Sequence, residues 1–183
     1  MAKRPAPLAL VAALTLGVSA LGVSVLGASA ATAATPPKVG IASFAELKTP
    51  LPLPYDEQAD ADAVVAAAKA RAKAEHKLLL IDLGGNWCPD CRILAGTIDL
   101  PEVKAFVDAH YEVVTVDVGR FNKNLQIPAH YGITQRLEGV PSVLVVDPRH
   151  DRLVDAGHVA ALSDARHMTP QALADWLARW TAN

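Results

Sequence analysis

The sequence predicts one α/β domain, in which helices flank a central mixed β-sheet, preceded by a signal peptide. Two observations lead to this prediction. Segments with helical spacing alternate with short apolar, β-branched runs in the order α-β-α-β-α-β-β-α. The chain has 183 residues, and the roughly 150 that remain after a leader suit a single hydrophobic core.

The N-terminal 34 residues have the layout of a secretory signal peptide. Lys3 and Arg4 form a basic start, residues 6–28 carry no charge, and small residues cluster at 28–34. The uncharged stretch is also long enough for an uncleaved membrane anchor. Two small-x-small cleavage patterns favour removal instead. We therefore expect a periplasmic or secreted protein with no membrane span after cleavage of the leader.

The composition of the remaining chain excludes some classes of partner. Loss of Lys3 and Arg4 with the leader changes the net charge from −2 to −4, with no block of like charges. This mildly acidic surface argues against nucleic acid and gives no reason to expect binding to an anionic membrane. Residues 35–57 contain five prolines, and we interpret them as a tether or an extended wrap. The domain itself, residues 58–183, is expected to be a monomer.

The first half of the domain is predicted from apolar spacing. A helix is expected over 59–75, where alanine and valine recur at helical spacing, and a strand follows over 77–83. The next helix begins near Pro89 and stops around Gly96. A new helix starts at Pro101, because proline suits the first helical position.

The second half of the domain is predicted to complete the sheet and to end in a helix. Alternating or β-branched runs indicate strands, and the segment between the last two reads as a turn of a hairpin. The expected elements are strands at 111–118, 142–147 and 152–156, a short helix at 125–131, and a final amphipathic helix opened by Thr169 and Pro170.

The only two cysteines, Cys88 and Cys91, lie where a strand turns into a helix. Thiols three positions apart can form a small disulfide ring, and the helix end favours a thiolate on the first. An inert disulfide across so short a loop would add little stability. A zinc site needs about four ligands, and the sequence has no second Cys-x-x-Cys and no i, i+4 histidine pair. The pair therefore indicates dithiol–disulfide exchange, without a metal or cofactor.

The motifs resemble those of the thioredoxin superfamily over residues 59–180. The run Trp87-Cys88-Pro89-Asp90-Cys91 is similar to the family's Trp-Cys-x-x-Cys, and Asp82 lies on the strand six residues before the first cysteine. The segments 131–133 (Tyr-Gly-Ile) and 139–141 (Gly-Val-Pro) are similar to the family's proline loop. The resemblance implies a thioredoxin fold, with a cis proline facing the cysteines.

Within the superfamily, residues 97–103 resemble the interrupted second helix of periplasmic thioredoxin-like domains. The C-terminal domain of the disulfide-interchange reductase is one such domain. Two features depart from the family pattern. Residues 135–138 form an apparent insertion before the proline, and Pro-Asp replaces the Gly-Pro of thioredoxin between the cysteines.

The chemistry assigns a role to each central residue. Cys88 is expected to attack a substrate disulfide, and Cys91 to resolve the mixed disulfide. We expect the two sulfurs to be exposed at the mouth of the strand–helix junction. Asp82 would take the proton from Cys91, directly or through water, if it is buried. The alternative is an ordinary strand aspartate that faces solvent.

The residues around the cysteines are expected to bind substrate. Pro141, cis on the resemblance, would place the backbone of Val140 beside the cysteines as an edge for a substrate strand. Trp87 is either a platform for substrate or part of the core. Arg92 is expected in solvent, where it could assist the thiolate electrostatically.

Pro89 and Asp90 are expected to tune the redox potential. Asp90 would raise the pKa of Cys88 and compete for the N–H groups at the helix end, which weakens oxidising power. The sequence thus favours a reductant or carrier, acting on protein disulfides and dithiols with a redox partner protein. The alternative is a non-enzymatic module that binds a partner protein or copper.

Overall fold

The structure, a computed structural model, describes residues 1–2 and 32–182. Almost all of the predicted signal peptide therefore lies outside the described residues, and it stays a prediction. Among the described residues, no helix has the length and apolar character needed to cross a membrane.

A mixed four-stranded sheet forms the centre of the fold. The strands are β1 (Leu78–Gly84), β2 (Tyr111–Asp117), β3 (Ser142–Asp147) and β4 (Arg152–Leu153), in the order β2-β1-β3-β4. β1 pairs in parallel with β2 and antiparallel with β3, which itself pairs antiparallel with β4. Every residue of β1 and β3 is buried, because both faces of the sheet are covered. This arrangement confirms the predicted α/β fold.

In the described part of the chain, five α-helices flank this sheet. They are α1 (Ala61–Ala74), α2 (Pro89–Ile98), α3 (Pro101–His110), α4 (Gln126–His130) and α5 (Pro170–Arg179). Successive side chains of β1 point to opposite faces, so Leu79 and Ile81 join a core cluster with α1, whereas Leu80 joins a second cluster with α3 and α5. The predicted break between α2 and α3 is confirmed, although α2 continues past Gly96 to Ile98.

The proline-rich extension lies on the domain as a wrap. Leu47 is only 4% exposed, and Tyr55 is buried in the core cluster on the α1 side. The Arg92 side chain donates from Nε to the carbonyl of Pro52 at 3.1 Å and from Nη2 to that of Leu51 at 2.8 Å. The prediction that Arg92 is free in solvent is therefore wrong, because these carbonyls hold its guanidinium against the wrap.

The hairpin after β3 is shorter than predicted. β4 has two residues instead of the expected 152–156. The backbone N–H of Val154 still bonds to the carbonyl of Val145 at 2.8 Å. The N–H of Val145, however, donates to the buried carboxylate of Asp155 at 3.0 Å. The Asp155 side chain thus takes the place of a backbone acceptor, and the hydrogen-bond ladder between β3 and β4 ends there.

Truncation of a buried leucine should show whether the wrap contributes to stability. We expect Leu47→Ala to lower the free energy of unfolding by about 2–5 kcal/mol, because it leaves a cavity beneath the wrap. Leu53 is 64% exposed in the same segment, so Leu53→Ala is a matched control that should stay within about 0.5 kcal/mol. Urea unfolding measures both values, and equal small effects would contradict docking of the wrap.

Candidate active site

Cys88 lies at the N-cap of α2, directly after the loop that leaves β1. Its sulfur accepts the backbone N–H of Cys91 at 3.2 Å. Pro89 occupies the first helical turn, as predicted; it has no N–H of its own and its fixed φ suits that position. The first cysteine is therefore held at the helix end, where unpaired N–H groups stabilise negative charge.

The two thiols are free and differ in acidity. The side chain of Cys91 donates a hydrogen bond to Cys88 and, together with the N–H of Cys91, lowers the pKa of Cys88 to about 7, although burial opposes this. The same hydrogen bond, burial and the charge of Asp82 raise the pKa of Cys91. Near neutral pH the arrangement favours a Cys88 thiolate beside a Cys91 thiol.

The proline loop lies directly over Cys88. The Val140–Pro141 peptide bond is cis, as the resemblance predicts, and the Cys88 sulfur lies 3.2 Å from the carbonyl oxygen of Val140. As a result Cys88 is only 3% exposed, and Cys91 is fully buried. The prediction that both sulfurs are exposed is therefore wrong, because the loop covers the first and the second faces the core beside Gly84 of β1.

Asp82 is buried in the middle of the sheet and is 2% exposed. The alternative of a solvent-facing aspartate is therefore wrong. The pKa of Asp82 is raised to about 7. Burial is the largest cause and the charge of Cys88 adds to it, whereas the hydrogen bond from Tyr55 acts in the opposite direction. The Tyr55 hydroxyl donates to Asp82 Oδ1 at 2.9 Å. Asp82 can thus exchange a proton near neutral pH.

Tyr55 was not found by sequence reasoning. It belongs to the wrap, which also contains the aromatic residue Phe44, so no local pattern distinguishes Tyr55 within the segment. A Cβ atom on Gly84 would lie 2.3 Å from Tyr55 Oη and 2.7 Å from Cys91 Sγ. The phenol and the second sulfur therefore converge where β1 has no side chain.

Asp90 is paired with Arg166, a second residue that sequence reasoning missed. The backbone N–H of Arg166 donates to Asp90 Oδ1 at 2.9 Å, its Nε donates to the same oxygen at 3.0 Å, and its Nη2 contacts Oδ2. Burial raises the pKa of Asp90, but these bonds outweigh it and leave the pKa lowered. The charge of Asp90 does raise the pKa of Cys88, as predicted. The bonds from Cys91 outweigh it, so the pKa of Cys88 is lowered overall.

Trp87 lies on the surface beside Cys88 and is 39% exposed. Its Nε1 donates to the carbonyl of Gly119 at 2.8 Å. The guanidinium of Arg120 lies 4.1 Å from the centre of the ring. The Phe121 ring packs against the Trp87 ring in a T-shaped arrangement, with the two ring centroids 6.2 Å apart. The alternative of a core tryptophan is therefore wrong, since the ring is fixed in place with one part open to solvent.

The described residues contain no group of three or more histidine, cysteine, aspartate or glutamate side chains that could hold a metal ion. A cavity of about 450 Å³ beyond the proline loop is lined by Leu137 and Ser142, among others, but by neither cysteine. The two thiols and the carboxyl group of Asp82 are buried together at the start of α2 and in β1.

Comparisons with known proteins find similarity to one family model and to solved structures. Residues 60–148 match a family model described as thioredoxin-like. A solved disulphide isomerase from Xylella fastidiosa Temecula1 is 39% identical; the match covers 70% of this chain and 96% of that chain, with a TM-score of 0.64. The oxidised C-terminal domain of DsbD from Neisseria meningitidis is 28% identical over 50% of this chain and 77% of its own, with a TM-score of 0.37. No curated protein matches the chain significantly.

The Asp90–Arg166 pair should set the acidity of Cys88. We expect Arg166→Gln to raise the pKa of Cys88 by about one unit, because the charge of Asp90 is then unopposed, and Asp90→Asn to lower it. The pH dependence of alkylation by iodoacetamide measures both shifts. Arg149→Gln is the matched control, because it breaks another arginine–aspartate pair, Arg149 with Asp147 at 3.9 Å. That pair lies at the end of β3, beside the start of β1, whereas the cysteines follow the end of β1. Equal pKa values in all variants would contradict the prediction.

The buried carboxyl group should destabilise the fold at neutral pH. An unfolded aspartate has a pKa of about 3.9, whereas burial raises the pKa of Asp82 to about 7. The folded state then binds more protons between these values, so its stability falls as pH rises from about 4 to 7. We expect Asp82→Asn to increase the free energy of unfolding by on the order of 3–4 kcal/mol above about pH 7, and far less near pH 4.

The pKa of Asp90 is lowered instead, so Asp90→Asn is a control of opposite sign. It should remove stability that is present at neutral pH and lost as pH falls. Urea unfolding across this pH range measures both variants. A gain for Asp82→Asn that is the same at every pH would contradict the titration of Asp82.

Proposed function

The chain belongs to the thioredoxin-like family, and we propose that it is an exported thiol–disulfide oxidoreductase that uses Cys88 and Cys91. The observation that carries this proposal is the position of the Cys88 sulfur. It caps α2, accepts the N–H of Cys91 at 3.2 Å, and has a pKa lowered to about 7. A thiolate held in this way is the nucleophile that disulfide exchange requires.

The proposed reaction has two steps. The Cys88 thiolate attacks one sulfur of a substrate disulfide, the substrate S–S bond breaks, and one substrate thiolate leaves. Cys91 then gives its proton to the Asp82 carboxylate and attacks the Cys88 sulfur. The mixed disulfide breaks, and the second substrate thiolate leaves with the electron pair. The protein ends with a Cys88–Cys91 disulfide, having transferred two electrons and released its protons to solvent.

The surface around Cys88 supports a polypeptide as the substrate. The Val140 carbonyl lies 3.2 Å from the sulfur, so an extended substrate segment would displace this contact and pair with the loop backbone at Val140 and Pro141. The exposed ring of Trp87 provides an apolar platform on another side of the cysteine. We propose protein disulfides outside the cytoplasm as substrates, a redox partner protein that restores the dithiol, and a monomeric state.

The acidity of Cys88 favours a reductant or carrier over a strong oxidant. The strongest oxidants of this type have a nucleophilic cysteine with a pKa of about 3.5. A stable thiolate favours the reduced form and makes the disulfide more oxidising. With a pKa of about 7, Cys88 gains much less of this stabilisation. The equilibrium potential against glutathione tests the direction, and a value near −120 mV would contradict it.

Replacement of each cysteine should separate the two steps. We expect Cys88→Ser to abolish reduction of insulin disulfides, because the attacking sulfur is lost. Cys91→Ser should instead accumulate mixed disulfides through Cys88, which non-reducing electrophoresis and mass spectrometry detect. Full activity of Cys88→Ser would refute the proposed function.

A further inference from the structure

The hydroxyl of Tyr55 reaches into the centre of the proposed site. It donates to Asp82 Oδ1 at 2.9 Å, and the bond is buried. Tyr55 comes from the wrap, before the residues 60–148 that match the family model. An element outside the matched region therefore supplies a polar group to the site.

Tyr55 is held at this position from both sides. The Asn86 side chain accepts the N–H of Tyr55 at 3.1 Å and donates to its carbonyl at 2.8 Å. One residue earlier, the Pro54 carbonyl accepts the hydroxyl of Thr115 on β2 at 2.8 Å. Three hydrogen bonds to neighbouring backbone groups thus fix the phenol, which indicates a built position.

The phenol also lies against the second sulfur. Tyr55 Oη and Cys91 Sγ both lie within 2.7 Å of the point where a side chain on Gly84 would begin. Any larger residue at Gly84 would meet both atoms. Asp82, Tyr55 and Cys91 therefore share one enclosed space, from which solvent is excluded.

We propose that Tyr55 is a positioning residue of the resolving step, which holds the Asp82 carboxylate beside Cys91 and stabilises its ionised form. The proposal rests on the proposed function, because it concerns the second of the two steps above. In that step the carboxylate takes the Cys91 proton, the Cys91–Cys88 bond forms, and the bond from Cys88 to the substrate breaks. The phenol keeps its own proton throughout.

The charged and titratable groups around Asp82 fix the sign of the effect. Tyr55 faces it from the wrap, and Cys88 and Cys91 face it from α2. Its neighbours in the sheet are Thr115 on β2 and Val143 on β3, and neither titrates. Burial and the charge of Cys88 raise the pKa of Asp82, whereas the hydrogen bond from Tyr55 lowers it. Removal of the phenol should therefore raise that pKa, so that the carboxylate appears only at higher pH.

The test uses the reduced protein and one equivalent of dithiobis(nitrobenzoate), which releases a coloured thiolate in each step. The first phase of colour reports attack by Cys88, and the second reports resolution by Cys91. We expect Tyr55→Phe to leave the first phase unchanged. The pH midpoint of the second phase should rise by about one unit, as loss of one hydrogen bond to a charged group predicts. Near pH 7 the second phase should then slow about fivefold, because the ionised fraction of the carboxyl group falls from about one half to about one tenth.

Two further variants separate positioning from general damage. In an Asp82→Asn background, addition of Tyr55→Phe should change the second phase no further, because the two residues act through one carboxylate. Tyr111→Phe is the matched control, since Tyr111 is also buried and donates from its hydroxyl to the carbonyl of Leu177, but it belongs to the core cluster on the other face of the sheet. That variant should leave both phases unchanged.

The outcomes distinguish this proposal from the function on which it rests. Absence of the first phase in the unmodified protein would refute the proposed function, and the role of Tyr55 with it. Two normal phases together with an unshifted midpoint in Tyr55→Phe would refute the role of Tyr55 alone. If Tyr55→Phe slows the second phase equally at every pH, or slows it further in the Asp82→Asn background, the role of Tyr55 is purely structural. Either result would also overturn the proposal.

Another variant tests the same role if Tyr55→Phe does not fold. Thr115→Val removes the bond to the Pro54 carbonyl with almost no change in shape, and it leaves the phenol in the chain. It should slow the second phase about two- to threefold and leave the first unchanged. A second phase as fast as that of the unmodified protein would contradict the positioning role.

Discussion

The placement of an ionisable carboxyl group inside the sheet is the constraint on which the rest of the site depends. Asp82 lies on the central strand, and burial raises its pKa to about 7. A buried carboxylate without partners would be strongly unfavourable. The phenol of Tyr55 provides a donor, and the missing side chain at Gly84 provides the space. The fold thus gives up stability here and gains a group that can exchange a proton near neutral pH.

The two cysteines occupy opposite environments a single helical turn apart. Cys88 receives the N–H and the thiol of Cys91 at the helix end, whereas Cys91 faces Asp82 in the interior. The first sulfur is therefore the better anion and the second holds its proton. Because Asp90 is bound by Arg166, the acid between the cysteines adds less negative charge to this environment than its sequence position suggests.

Local patterns were sufficient to predict the framework but not the partners of the site. Apolar spacing located β1 and α2, and the Gly-Val-Pro motif located the loop over Cys88. Tyr55 and Arg166 were missed because they reach the site only through tertiary contacts, and the Asp90–Arg166 pair spans 76 residues. The motif predicted that the loop faces the cysteines, but not that it approaches Cys88 to 3.2 Å and covers the sulfur. β4 ended early because the side chain of Asp155 replaces a backbone acceptor, which strand propensity does not encode.

The wrap and the helix that carries the cysteines constrain each other. Arg92 on α2 binds carbonyls of the wrap, while Arg166 binds Asp90 on the first turn of the same helix. The start of α2 is therefore held by arginine contacts with two segments that are distant in sequence. A reacting group works best when its surroundings are fixed before the reaction. The residues before α1 thus complete the surroundings of the dithiol, since they supply both the phenol at Asp82 and one of the two supports of α2.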